Sequence, residues 1–329
     1  MKILVCGGAG YIGSHVVRDL VEKNYQVVVL DNFSTGHSGA VPEGVVIETG
    51  DIRDKGFLNE VFKKHRLDCV MHFCANSLVG ESMEKPLDYY NNNVYGTLCL
   101  LETMVECGVK KFVFSSSASV YGEPEQIPIL ESAAKHPTNT YGETKLAVEK
   151  MLRWTGEAHR LKYMVFRYFN ASGAHPAGNI GEDHSPESHL IPLILKTALG
   201  QREQISVFGE DYQTSDGTCV RDYIHVMDIA AAHILGMERL FKGGESDVFN
   251  LGNGNGFSVK EVIEQAKAIT GKAFRVEMAD RRPGDPAVLI ASSQKAQNQL
   301  GWVPKYSDLD TIIKTAWEWH RSHPQGYED

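Results

Sequence analysis

The chain has no Cys-x-x-Cys pair, no His-Glu-x-x-His run and no stretch approaching the roughly 20 apolar residues of a membrane-crossing helix. A zinc ribbon, a zinc-protease helix and a membrane span are therefore not expected, and no metal ligands are assigned. Positive charge is also scarce. Lys and Arg number 33 against 42 Asp and Glu, for a formal net charge of −9, which argues against nucleic acid or an anionic membrane as a partner of the whole surface. A phosphate-bearing ligand would need local donors against that field. No repeat of 20–50 residues occurs, which disfavours a solenoid. The six cysteines, Cys6, Cys69, Cys74, Cys99, Cys107 and Cys219, sit mostly inside apolar runs such as 67–71 and read as free thiols. The first apolar run, 3–6, is cut by Gly7 and Gly8 and is too short for a signal-peptide core. A reducing, cytoplasmic setting is the expectation.

What is present is a composition that packs. Of 329 residues 42% are apolar and 23% charged, enough for one large body or two closely joined domains. Short runs rich in β-branched residues at 3–6, 26–30, 45–48, 69–73, 112–115 and 163–167 read as strands. Longer runs of helical period at 11–22, 54–65, 86–106 and 141–159 separate them. Strands apolar on both faces with helices between them predict an α/β fold with a doubly wound parallel sheet. The segment 170–188 changes character, with Gly173, Pro176, Gly178, Gly181 and Pro186 among polar residues. The first domain is accordingly expected over 1–169 and a smaller mixed α/β domain over 170–329. Helices are expected there at 190–199, 228–241, 259–269 and 309–319, and a strand at 205–208. A further strand at 248–251 is expected to return to the main sheet.

The first strand runs into Gly7-Gly8-Ala9-Gly10-Tyr11-Ile12-Gly13 and then a helical pattern. Glycine permits the tight turn and brings a pyrophosphate against backbone amides at the helix N-terminus. A glycine run alone is weak, but a strand before it and a helix after it are the context of a Rossmann dinucleotide site. The second strand ends in Asp31, 18 residues beyond Gly13. A carboxylate there accepts hydrogen bonds from ribose hydroxyls and repels a 2′-phosphate, so NAD is expected rather than NADP.

Tyr141 and Lys145 are four residues apart, on one helix face. They follow the apolar run 112–114, which ends in Ser115, Ser116 and Ser117. In an open parallel sheet ligands bind beyond the carboxyl ends of the strands, where these serines lie. A tyrosine of pKa about 10 is a poor base at neutral pH. The lysine charge and a cationic nicotinamide ring are expected to favour the phenolate and lower that value. Tyr141 could then take a hydroxyl proton while hydride leaves the carbon for NAD, with Ser117 positioning the hydroxyl.

These residues belong to a longer ordered set: Gly7 to Gly13, Asp51-Ile52, Asn92-Asn93-Val94, Ser115 to Gly122, Tyr141 to Lys145, Arg167-Tyr168-Phe169-Asn170, Val220 to Val226 and Arg282-Pro283-Gly284-Asp285. Over essentially its whole length the chain resembles the extended short-chain dehydrogenase/reductase superfamily and, within it, the UDP-galactose 4-epimerases. The resemblance implies reversible inversion at C4 of a UDP-hexose through a transient 4-keto sugar, with bound NAD regenerated in each cycle. It implies cofactor contacts at Gly7, Gly10, Tyr11, Ile12, Gly13, Asp31, Asn32, Phe33, Ser34, Thr35 and Gly36. Others fall at Asp51, Ile52, Phe73, Cys74, Ala75, Asn76, Ser77, Asn92, Ser117, Tyr141, Lys145 and Phe169. The UDP-sugar would be met by Ser117, Tyr141, Asn170, His189, Leu190, Ser206, Val207, Phe208, Arg221, Arg282 and Asp285. Arg221 and Arg282 would supply guanidinium donors for the diphosphate. A homodimer through the helices at 86–106 and 141–159 is implied as well.

Some positions depart from the family. Ser77 stands where some members carry a lysine, and His189 where an asparagine meets the uridine. A nucleotide-sugar 4,6-dehydratase would need an Asp-Glu pair just after the hydroxyl residue, and Ala118 and Ser119 occupy those places. A non-catalytic NAD-sensing protein would have no use for Ser117, Tyr141 and Lys145 together. An epimerase of UDP-N-acetylhexosamines or UDP-pentoses would share every catalytic residue. In the family the residue four places after the aspartate matching Asp285 limits the room beside the sugar, and here it is Leu289. Leucine there predicts the plain hexose pair with weak or absent N-acetyl activity, although ordinary packing of a strand at 288–290 would also account for it.

Overall fold

The computed structural model describes residues 1–282 and 285–328, so Pro283 and Gly284 of the run ending at Asp285 lie outside the described residues. From the N-terminus run β1 (Lys2–Cys6), α1 (Tyr11–Glu22), β2 (Gln26–Asp31), β3 (Val46–Thr49), α2 (Lys55–His65) and β4 (Cys69–His72). There follow α3 (Val79–Glu84), α4 (Pro86–Tyr89), a π-helical turn (Tyr90–Tyr95), α5 (Gly96–Cys107), β5 (Lys111–Ser115), α6 (Thr140–His159) and β6 (Lys162–Arg167). The second half holds β7 (Asn170–Ser172), α7 (Leu190–Ala198), β8 (Gln204–Phe208), β9 (Val220–Arg221), β10 (Tyr223–His225), α8 (Val226–Phe241) and β11 (Asp247–Asn250). The chain ends with β12 (Phe257–Ser258), α9 (Val259–Thr270), β13 (Arg275–Ala279), β14 (Val288–Leu289), α10 (Gln294–Leu300) and α11 (Leu309–Ser322).

Seven strands form one parallel sheet in the order β11-β6-β5-β4-β1-β2-β3. Period-2 alternation explains its layering. Ile3 and Val5 of β1 join Val16, Val17 and Leu20 of α1 and Ile229 and Met237 of α8 on one face. Leu4 and Cys6 join Leu58 and Phe62 of α2, Leu100 and Met104 of α5 and Leu152 of α6 on the other. Both faces are apolar because both are covered, which is the doubly wound α/β class that the strand runs predict. A third apolar cluster gathers α7, α9 and α11 around Ile205, Val207 and Tyr223.

The connections place the site. From β1 the chain winds outward to β2 and β3, and from β4 outward to β5, β6 and β11, so the winding reverses between β1 and β4. Ligands bind in the crevice at such a switch point, beyond the strands' carboxyl ends. The loops after β1 and β4, carrying Gly7–Gly13 and Phe73–Ser77, border that crevice. Besides β7, β9, β10, β12, β13 and α10 of the second half, which were not expected, the main sheet's half differs from the sequence reading in detail. The strand expected at 45–48 lies one residue later, α3 was not expected, and the single helix expected at 86–106 contains the π-helical turn. All six cysteines are free, but Cys107, the last residue of α5, is exposed rather than packed. Among the described residues no helix is long and apolar enough to cross a membrane.

Candidate active site

The glycine turn is held by close packing rather than by flexibility alone. Gly7 has φ of +77°, and a Cβ there would lie 2.5 Å from the amide nitrogen of Cys74. A Cβ on Gly13 would lie 2.0 Å from the carbonyl oxygen of Gly7. Gly10 caps α1 without a side chain, and no acid lies in the first turn, so its amides are open to an anionic ligand. Asp31 at the end of β2 is buried, and its carboxylate accepts hydrogen bonds from the amides of Ala9 and Phe33, both 2.9 Å. Burial pushes this carboxyl up from its ordinary value against those amide bonds. One acid thus ties β2 to the glycine turn and keeps lone pairs for a ribose.

A cleft at this point is lined by Gly7, Gly10, Asp31, Asn32, Ser34, Thr35, Gly36, Asp51, Ile52, Phe73, Cys74, Ala75, Asn76 and Asn92. Fourteen of the positions implied for the cofactor are therefore brought together. The Asp51 carboxylate is held down to about 2 by hydrogen bonds from the Arg53 guanidinium and backbone amide, with Asn32 adding a further donor. Other implied positions do not line the cleft. Gly13 is buried under the turn, Ile12 packs on the sheet core and Ser77 is exposed. Phe33 contributes its amide to Asp31. Tyr11 turns its hydroxyl away and donates to the carbonyl of Gly173 at 2.6 Å, while burial raises its pKa. A cradle that a single Cβ would fill, an uncapped helix start and an acid at the second strand end fit a dinucleotide with a free ribose 2′-hydroxyl.

Tyr141 and Lys145 lie on one face of α6, whose start is fixed by the Asn139 side chain accepting from the Gly142 amide at 2.8 Å. Ser117, in the loop leaving β5, lies near enough to the Tyr141 hydroxyl to lower its pKa, and its own hydroxyl donates to Ser119 Oγ at 3.1 Å. Lys145 Nζ donates to the carbonyl of Ser115 at 2.9 Å and sits 5.6 Å from the centre of the Tyr141 ring. Burial pushes Tyr141 up to about 12, opposed in part by Ser117. Burial also pushes Lys145 down to about 8, against the attraction of Cys74 and Glu149. Lys145 gives one of its three N–H donors to a backbone carbonyl and keeps its charge beside the tyrosine ring.

The positions implied for the UDP part divide in two. Arg221 on β9 forms an ion pair with Asp285 and donates to the carbonyl of Val220 at 2.8 Å. Arg282 lays its guanidinium 4.0 Å from the centre of the Phe208 ring, which orients it without neutralising it. Leu289 pairs with Arg221 across β14 and β9 and packs, partly buried, in the cluster of Ala118, Val120, Tyr121 and Phe169 beside Ser117. Asn170 donates to the backbone carbonyl of Asp222 at 3.3 Å, and Leu190 is half-buried at the start of α7. Alternation on β8 points Ser206 and Phe208 one way and buries Val207 in the third apolar cluster, so Val207 can offer a ligand only its backbone. His189 caps α7 but turns its ring to Glu182.

Residues the sequence reading did not single out hold the site together. Asn93, buried in the π-helical turn, accepts from the Asn76 amide at 2.9 Å and donates to the Asn76 carbonyl and to Thr144 Oγ1 at 3.1 and 3.0 Å. Glu149, one turn after Lys145, receives Ser116 Oγ at 2.7 Å and Arg167 Nε at 2.8 Å, and Arg167 reaches Tyr121 Oη at 2.8 Å. Asn93 stood in the Asn92-Asn93-Val94 motif, and the helical spacing Tyr141, Lys145, Glu149 was the available signal for the second group.

The profile of the family described as "NAD dependent epimerase/dehydratase family" matches residues 3–252. The UDP-glucose 4-epimerase of Halalkalibacterium halodurans is 61% identical over 327 residues, 99% of this chain and 98% of that protein. A crystal structure of a UDP-glucose 4-epimerase superposes with a TM-score of 0.99 at 60% identity, covering 100% of each chain. That of the Brucella ovis UDP-glucose 4-epimerase, in complex with NAD, gives 0.94 at 46% identity over 96% of this chain and 97% of the other. The chain belongs to the NAD dependent epimerase/dehydratase family, in the branch that holds the UDP-glucose 4-epimerases.

Proposed function

We propose that the protein interconverts UDP-galactose and UDP-glucose by inversion at C4, with NAD as a resident cofactor. The observation that carries this reading is the Ser117-Tyr141-Lys145 group at the sheet's carboxyl edge, with Ala118 and Ser119 offering no acid for elimination of water. When bound, NAD supplies a hydride acceptor and donor that ends each cycle unchanged. Tyr141 takes the proton of the 4-hydroxyl and returns it, and Ser117, which lies beside the Tyr141 hydroxyl, orients the sugar hydroxyl. Lys145, beside the ring, adds a positive field to the proton-transfer pair. Arg221 and Arg282 hold the diphosphate, so the sugar can present either face while UDP stays anchored. In this reading residues 1–169, with the returning strand β11, hold the cofactor, and 170–329 mainly hold the UDP-sugar.

The same reading has a homodimer through the helices at 86–106 and 141–159, supported by apolar side chains exposed on them, Leu98 and Trp154. It places the protein in a reducing cytoplasm, supported by the six free thiols. The test is to assay the purified protein, without added NAD, on UDP-galactose and UDP-N-acetylgalactosamine. Conversion of the first and little of the second is expected. The half-buried Leu289 in the wall beside Ser117 and Phe169 favours this order. Leu289→Tyr should suppress any N-acetyl activity and Leu289→Ser should raise it. An activity ratio unchanged by both substitutions would remove Leu289 from the wall.

A further inference from the structure

The loop from Gly173 to α7 carries four groups that the catalytic reading does not use together. One ligand atom from each of Glu182, His184, Glu187 and His189 lies within 4.8 Å of all the others. Glu182 Oε1 is hydrogen-bonded to His189 Nδ1 and lies 3.2 Å from His184 Nδ1. The two carboxylates are deeply buried, each side chain 4% exposed, whereas surface acids would be solvated. Glu187 Oε1 accepts the amides of Ser188 and His189 at 2.7 and 2.8 Å, which fixes that carboxylate. Its other oxygen, Oε2, is buried with no hydrogen-bond partner and points toward His184 Nδ1, 4.0 Å away. A buried carboxylate oxygen without a donor is costly to keep, so Glu187 Oε2 is left to be satisfied by a ligand at the centre of the four groups.

From this geometry we propose that Glu182, His184, Glu187 and His189 form a closed four-ligand site for one divalent transition ion of the zinc type. Two imidazoles and two carboxylates are a donor set suited to zinc, and the carboxylates balance its charge. Calcium and magnesium favour oxygen ligands, and two imidazoles among the four donors select against them. Ligand bonds of about 2.0–2.2 Å in a tetrahedron give donor–donor edges of roughly 3.4 Å. The proposed ligand atoms lie within 4.8 Å of one another, with His184 Nδ1 3.2 Å from Glu182 Oε1 and 4.0 Å from Glu187 Oε2, so a small inward shift of Glu187 would reach that value. The surroundings hold the loop: the Trp319 indole donates to the Glu182 carbonyl at 3.0 Å and Asp183 accepts the Tyr327 amide at 3.0 Å. The Tyr11 ring, at the start of α1, meets His184 edge-on. The ion is structural. It fastens α7, which starts at Leu190, to the glycine turn of the cofactor cleft and to α11. The expectation of no metal rested on helical and Cys-x-x-Cys spacings, and the spacing here, Glu-x-His-x-x-Glu-x-His, lies on a loop.

The test uses the full-length protein, stripped of metal by a chelator and desalted. Titration with Zn²⁺ against a chromophoric chelator should show one tight equivalent per chain, and Zn²⁺ should raise the melting temperature by a few degrees. Co²⁺ in its place should give the intense visible absorption of a four-coordinate ion. Glu187→Gln and His184→Ala, checked for folding by circular dichroism, should each weaken Zn²⁺ at least ~100-fold, beyond the ~10–100-fold of outer-shell changes. The control His159→Ala, at the exposed end of α6, should not. Zn²⁺ affinity equal in parent and variants, or a Co²⁺ spectrum of six-coordinate type in the parent, would overturn the site even if a variant failed to fold.

Discussion

At the scale of single residues, the chemistry turns on where the proton of Tyr141 goes. Its hydroxyl is pushed up to about 12 by burial and its partner Ser117 opposes this only in part, so without a bound cation it is a phenol. Lys145, pushed down to about 8 by burial, is anchored on Ser115 rather than on the tyrosine. In the proposed mechanism a bound cofactor's positive charge, with that of Lys145, favours loss of this proton, so acid–base competence is expected to follow cofactor occupancy. Tyr141→Phe keeps the ring and removes the oxygen. Its turnover should fall by at least ~10²–10⁴, the usual scale of general acid–base catalysis, with UDP-sugar affinity little changed. Near-normal turnover in a folded variant would take Tyr141 out of the reaction.

At the scale of elements, the most legible parts were those where period and punctuation agree. Strands β1, β2, β4, β5 and β6 are apolar on both faces because helices cover both, and that continuous apolarity is visible in the sequence. The Gly7–Gly13 turn was legible because only glycine fits where the Cys74 amide and Gly7 carbonyl approach. What was not legible depends on long-range contacts. The helix expected at 86–106 hides a π-helical turn, because hydrophobic period does not register one extra residue. That turn sends Asn92 to the cleft and Asn93 into the interior, where it joins the loop after β4 to α6. The family resemblance implies Val207 as a UDP contact, yet strand alternation buries its side chain. Asn93→Ala should therefore loosen the 73–77 loop. We expect NAD retention to weaken several-fold on gel filtration while the UDP-sugar KM changes little. Unaltered retention would make Asn93 a packing residue only.

At the scale of the whole molecule, acid should act through buried histidines. Burial holds His15, His233 and His320 down to about 4, and His225 to about 3. Unfolded, each titrates near about 6.5. Between about 6.5 and 4 the unfolded chain takes up protons that the folded chain refuses, so stability falls as pH falls through that window. Asp222, which burial pushes up to about 6, acts in the opposite sense below that pH, as do the raised Asp31 and Asp228. His233 isolates the effect, since its Nδ1 is bonded to the Ile229 carbonyl at 2.8 Å and its Nε2 is buried without a partner. His233→Leu should lose less stability than the parent between pH 6.5 and 5, by at most about 2 kcal/mol at about 1.36 kcal/mol per pH unit. Parallel urea midpoints in the two proteins would show that His233 is not held neutral. The central claim, that hydride leaves C4 and returns to the same carbon from a cofactor that never departs, is tested most directly by isotope. UDP-galactose deuterated at C4, incubated with the purified protein in ordinary water without added NAD, should yield UDP-glucose that keeps its deuterium at C4, with no free NADH. Loss of the deuterium to solvent, or accumulation of NADH in step with substrate consumed, would contradict it.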